Sequence, residues 1–210
     1  MASGIDALVT AVLTHPRVMA VKRPIKDAVW QVRGMGICNP DLPLNPRSWL
    51  FVCKGNICRS PFAAELGKRL LAELGLDNTA CLSAGLDVSQ GNRPPARAVE
   101  TAATYDIGLS DHRPAAITLA MIESSDVVVV MEVGQLAQLR RQYPHHADRF
   151  VLLSLYAPDA ETGGAYRRLH ITDPFGKTKG AFEDCYARIE AAMRAMFSLT
   201  VRPHAPGTAH

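Results

Sequence analysis

No apolar run in this 210-residue chain approaches the ~20 residues that a membrane-spanning helix requires. The N-terminus shows no charged stretch leading into a long apolar run and a small-residue cleavage pattern, so no secretory leader is read there. Cysteine is sparse: five residues, an odd number without regular spacing. That excludes a disulfide framework and suits a reducing compartment. No zinc-type spacing of Cys and His occurs, and the His145-His146 pair has no third ligand and reads as a surface loop. Net charge is only +3, too little to signal a nucleic-acid partner. Internal repeats are absent. A soluble, cytoplasmic protein is expected, and its length suits one domain with or without an extension. Hydrophobic residues make up 48%, enough for a sizeable core.

The chain is organised around L-F-V-C-K-G-N-I-C-R-S-P, Leu50 to Pro61. The apolar run Trp49 to Val52 predicts a buried strand ending on Cys53. A polar turn follows, and Ser60-Pro61 predicts a helix start, serine being a favoured N-cap and proline a favoured first residue. Five residues separate Cys53 from Arg59. A turn of that length can gather the N–H groups of Lys54, Gly55, Asn56, Ile57, Cys58 and Arg59 around an anion at a helix N-terminus. Arg59 adds a planar fork for two oxygens of one phosphate. Gly55 and Asn56 tolerate the backbone geometry that such a curl demands. The positive field favours a thiolate at Cys53, and Ser60 can donate to that thiolate when it departs. A bare C-x5-R reads first as a strand-end cysteine and a surface arginine. The strand before it, with Gly55, Asn56 and Ser60-Pro61 after it, favours the phosphate site.

C-K-G-N-I-C-R-S-P resembles the phosphate-binding loop of the low-molecular-weight protein tyrosine phosphatases. The resemblance runs from Trp49 to about Leu199. It implies an α/β fold: a four-stranded parallel sheet with helices on both faces, flavodoxin-like, with the site at the strands' C-terminal edge. It implies hydrolysis of phosphotyrosine in proteins through a phosphocysteine, without metal or cofactor. Cys53 would be the nucleophile and Arg59 the phosphate clamp. Lys54, Gly55, Asn56, Ile57, Cys58 and Ser60 would surround the phosphate. Asp173, in the turn I-T-D-P-F-G, matches the family's general acid and base, and Phe175 the aromatic flank of the substrate's ring. Read alone, an Asp-Pro turn is a plain turn. Ser83 and His112 match residues that brace the loop; by themselves they read as a strand-end serine and a partly buried helix-capping histidine. A cysteine at position 58 serves the family as a redox partner of the nucleophile, and a small packing residue is the other reading. The family's aromatic cleft wall has no counterpart between Leu86 and Asn92.

The remaining segments follow the same pattern. Helices are predicted over 62–74, 96–105, 134–143 and 179–200, and strands over 79–83, 126–131 and 150–155. Pro158 to Arg168 reads as a loop. Residues 1–48 form an extension with two short helices, one capped by Ser3 and stopped by Pro16, the other over 25–33, and a proline-rich linker over 39–46. The catalytic domain is placed at 49–200 and a disordered tail at 201–210. The extension holds six basic and three acidic residues, and the remainder 17 of each, so the whole net charge lies in the extension. Contact with a membrane surface is one reading of it, and helices packed on the domain with solvated charges the favoured one.

Rival functions differ in sequence. Arsenate reductases of this fold need relay cysteines, and Leu82 to Asp184 contains none. Arginine phosphatases of the family carry threonine where Ile57 stands. A non-catalytic phosphate-docking module would not need Cys53, Arg59 and Asp173 together. Bacterial members of the family act on tyrosine kinases of surface-polysaccharide export, which makes such a kinase the expected protein substrate.

Overall fold

The computed structural model describes residues 36–160 and 164–200; both helices expected before residue 34 and the tail after residue 200 lie outside these. Four strands form one parallel sheet: β1 (Ser48–Cys53), β2 (Ala80–Gly85), β3 (Val127–Val130) and β4 (Phe150–Leu152), in the order β2-β1-β3-β4. The expected α/β architecture is thus the observed one. β3 is four valines, all fully buried, as a central parallel strand covered on both faces requires.

Alternation along β1 sorts the core into two layers. Trp49, Phe51 and Cys53 face one side, with α1 (Arg59–Glu73) and the long final helix α6 (Lys179–Thr200) packed there. Leu50 and Val52 face the other, against Ile122 of α3 (Leu119–Glu123) and Leu136 and Leu139 of α4 (Val133–Gln142). The short α2 (Ala96–Ala103) packs on α6. Because all four strands are parallel, their C-terminal ends and the turns after them share one edge. That edge carries Cys53.

Three stretches depart from expectation. β4 is shorter than 150–155: the backbone leaves the sheet at Leu153 for a 3₁₀ turn over Leu153–Tyr156. An apolar run cannot by itself distinguish a strand from a buried turn. Within the predicted loop 158–168 lies a one-and-a-half-turn helix, α5 (Gly164–Leu169). Arg188 of α6 donates to the carbonyls of His170 and Arg167 (both 2.6 Å). Both Arg167 and Arg188 also pair with Asp159 (2.8 and 2.9 Å). So short a helix has no periodicity to read and is held by these distant partners.

The proline-rich linker is packed against the domain. Ile37 and Leu42 join the two core layers. Asn39 accepts from Leu152 N–H (2.7 Å) and donates to Leu152 C=O (3.1 Å). Its amide thereby satisfies edge groups of β4 that would otherwise invite another strand. Asn39→Ala is expected to cost about 1–3 kcal/mol of stability, from two unpaired part-buried backbone groups. Urea denaturation of the full chain measures this, and an unchanged midpoint would contradict it.

Candidate active site

The site begins where β1 ends. Cys53 is nearly buried, and its Sγ lies 3.0 Å from the Ser60 hydroxyl. The following turn is curled by Asn56, whose φ of 53° lies in the left-handed region that asparagine tolerates. Among the described residues, the N–H groups of Lys54 to Cys58 find no acceptor within the protein. α1 starts at Arg59 with Cys58 at its N-cap position and no side chain capping it. This corrects the expected start: Ser60 lies inside the first turn, where its hydroxyl serves Cys53. The uncapped N-terminus keeps its donors and positive dipole end for an anion.

Asn56 holds the curl with every polar atom of its side chain. Its Nδ2 donates to the hydroxyls of Ser60 and Ser83 (both 2.9 Å). Its Oδ1 accepts from the N–H of Ala115 (2.8 Å). His112 Nε2 lies 2.9 Å from the Asn56 carbonyl and 3.2 Å from its Oδ1. Ser83 and His112 thus both hydrogen-bond to Asn56 of the loop. His112 does not cap the next helix: Thr118 does, accepting from Met121 N–H (3.2 Å). The side chains of Asn56 and Ser60, expected around the substrate, lie fully buried under the loop. Both brace it from below.

Burial pushes the His112 imidazole below its ordinary value of 6.5, and the hydrogen bond to Asn56 only partly restores it. With the folded value depressed, the unfolded chain binds more protons as pH falls, so stability rises with pH. The brace should be fully effective above pH 6.5 and weaken as pH drops through the folded value. Unfolding free energies from pH 7 down to pH 5, compared with His112→Gln, test this. A wild type no more pH-sensitive than the variant would refute it.

Arg59 is 1% exposed and reaches three acceptors. Nη1 donates to Ile171 C=O (2.9 Å) and to the Glu132 carboxylate, and Nη2 pairs with Asp173 Oδ2 (2.7 Å). Its Nε is buried without a partner among the described residues, a donor left for an oxyanion. Burial opposes the guanidinium charge, but the fields of Cys53, Asp173 and Glu132 outweigh it and hold Arg59 firmly protonated. Asp173 also accepts from Phe175 N–H (3.2 Å), closing a tight turn.

Cys53, Arg59 and Asp173 line one cleft of about 200 Å³, together with Lys54, Gly55, Ile57, Cys58 and Phe175. Phe175, 58% exposed, stands at the rim. Asp87, Ser89 and Asn92 also line the cleft, polar residues from the segment where the sequence offered no aromatic. Cys58 is buried, and its thiol is pushed well up by burial and then by the nearby Asp173 and Cys53. It is a free thiol, as is Cys53. No group of three or more Cys, His, Asp or Glu suited to a metal occurs among the described residues.

Two residues escaped the sequence. Glu132 lies two residues beyond β3 and pairs with Arg59; in sequence Met131-Glu132 stood only where the resembled family has a Met-Asp pair, with no role attached. Gly85 pairs with Cys53 in the sheet register. A Cβ there would meet Lys54 O at 2.8 Å and Asn56 N at 3.0 Å, so the loop closes against this bare backbone. The glycine after Ser83-Ala84 was the available clue.

Comparison with known proteins matches residues 48–204 to the family described as low molecular weight phosphotyrosine protein phosphatase. The probable low molecular weight protein-tyrosine-phosphatase EpsP of Ralstonia solanacearum is 30% identical over 151 residues, 70% of this chain and 90% of that protein. The tyrosine phosphatase Wzb from Escherichia coli K30, solved with sulphate, superposes with a TM-score of 0.63 at 27% identity, over 73% of this chain and 97% of that one. The YwlE arginine phosphatase from Geobacillus stearothermophilus shares the fold at 24% identity, TM-score 0.61, over 73% of this chain and 92% of that one.

Proposed function

Since the chain belongs to the low molecular weight phosphotyrosine protein phosphatase family, we infer that it hydrolyses phosphotyrosine in proteins, with Cys53, Arg59 and Asp173 carrying the reaction. The observation behind this assignment is that three groups spread over 120 sequence positions line one cleft, with Arg59 gripping Asp173 at 2.7 Å.

The chemistry follows from the groups. An incoming phosphate takes the Arg59 fork, the free Nε and the loop amides. It thereby displaces Asp173 from Nη2. Freed from Arg59, Asp173 takes up a proton from solvent; the Cys53 thiolate attacks phosphorus as the P–O bond to the tyrosine breaks, and Asp173 passes that proton to the departing phenolic oxygen. Water then attacks the phosphocysteine, Asp173 takes its proton, and the thiolate leaves toward the Ser60 hydroxyl. Inorganic phosphate and the starting thiolate result. Loop amides and Arg59 stabilise the equatorial oxygens throughout.

The catalytic domain is assigned to residues 49–200, preceded by the basic extension 1–48. The phosphoprotein is assigned to the class that the family resemblance implies, a bacterial tyrosine kinase of exopolysaccharide synthesis. Arginine phosphatase is the second reading. Asp87 in the cleft wall would suit a guanidinium leaving group, whereas the apolar Ile57 favours an aryl one. Assaying the full chain on matched phosphotyrosine, phosphoserine and phosphoarginine peptides decides. Faster release from phosphotyrosine supports the reading; preference for phosphoarginine transfers it to the second, and no release from any of them refutes both.

A further inference from the structure

Asp173 sits on a turn where the neighbouring Pro174 is buried but polar holds are few. Upstream, Ile171 is buried and its N–H donates to Met131 C=O (2.8 Å), tying the chain to the end of β3. Downstream, residues 175–180 are exposed until α6 becomes established. Within the segment, Phe175 N–H bonds Asp173 and Lys177 N–H bonds Pro174 C=O (3.0 Å). These bonds shape the turn without fixing it to the rest of the molecule. Among the described residues, two side chains from outside reach it by hydrogen bond or ion pair: Arg59 to Asp173 (2.7 Å), and Arg97 Nη1 to Lys177 C=O (2.9 Å).

The first of these is lost on turnover. A phosphate that occupies the Arg59 fork removes it from Asp173 at the moment when the carboxyl must be aimed at the leaving oxygen. The Arg97 bond does not involve the phosphate-binding atoms. Arg97 sits in the first turn of α2, a helix fixed by Ala98 and Ala102, both fully buried, and packed on α6. We propose that Arg97 is the positioning residue for the general acid, holding the Asp173 turn over the cleft once substrate has taken Arg59. It touches neither the phosphate nor the reacting atoms. Arg97 acts by limiting how far the turn swings, and small misplacements of a proton donor are costly in rate. This rests on the assignment of Asp173 as the acid.

A donor that shifts should matter most for leaving groups that need its proton most. The experiment uses the full chain with Arg97→Ala and Arg97→Lys, and reads kcat/KM for 4-nitrophenyl phosphate and for phenyl phosphate. Arg97→Ala is expected to lose about tenfold on phenyl phosphate and under about twofold on the nitrophenyl ester. Arg97→Lys should recover part of the loss, and inhibition by inorganic phosphate should stay unchanged. Equal losses on both esters, or none, would overturn the proposal, since a merely structural role lowers both alike. Asp173→Asn is run beside them. If that variant shows no leaving-group dependence, the assignment of the acid falls and this inference with it. If Asp173→Asn is steep and Arg97→Ala flat, only the role of Arg97 fails.

Discussion

Cys53→Ser is expected to lose hydrolysis of aryl phosphates by about 10⁶-fold, the scale of deleting a nucleophile outright, while still binding inorganic phosphate. Serine is nearly isosteric, and Cys53 is nearly buried on a rigid strand with its sulfur 3.0 Å from Ser60. The fold has no reason to change. What changes is the nucleophile: a serine hydroxyl is intrinsically far less acidic and less nucleophilic than a cysteine thiol. Arg59, its free Nε and the loop amides keep their places, so the oxyanion site survives. Steady-state assays with 4-nitrophenyl phosphate and calorimetric titration with phosphate read the two halves separately. Activity within tenfold of wild type would remove Cys53 from the mechanism. Loss of phosphate binding along with activity would mean that the loop itself had collapsed.

Asp173→Asn is expected to lower kcat/KM for phenyl phosphate by about 10²–10⁴-fold, the usual worth of a general acid. A second effect has the opposite sign. Asp173 pairs with Arg59 Nη2 at 2.7 Å, and phosphate bound at that nitrogen must displace the carboxylate. The amide is a weaker competitor for the guanidinium, so inorganic phosphate should bind the variant more tightly than wild type. Slower turnover with tighter oxyanion binding separates a displaced acid from a damaged site. Weaker phosphate binding by Asp173→Asn, or undiminished turnover, would contradict the assignment.

Legibility followed the range of the interactions. The strand, turn and helix around Cys53 could be read because each step obeys a local rule: β-branched and aromatic residues for the buried strand, Gly55 and Asn56 for the curl, an arginine at the helix start. The helix start was still misplaced by two residues, because Ser60 spends its hydroxyl on Cys53 and Asn56 rather than on a cap. The sequence attached no role to Glu132. Its role exists only because β3 lies beside β1 in the sheet and brings its end up to Arg59. The proline-rich linker reads as a spacer in sequence, yet one amide, Asn39, ties it to the β4 edge across 113 positions.

By itself the sequence determined an α/β chain with a thiol, a curled turn and an arginine at one strand end, since neighbours in the chain set backbone conformation. It also supplied the Asp-Pro-Phe-Gly turn without saying what that turn faces. Only the tertiary structure decided that Asp173 and Glu132 both meet Arg59 and that Asp87, Ser89 and Asn92 share a cleft with Phe175. Parallel strands deliver distant loops to a common edge, and which loops meet there depends on strand order, which pairing across the sheet fixes and local propensity does not.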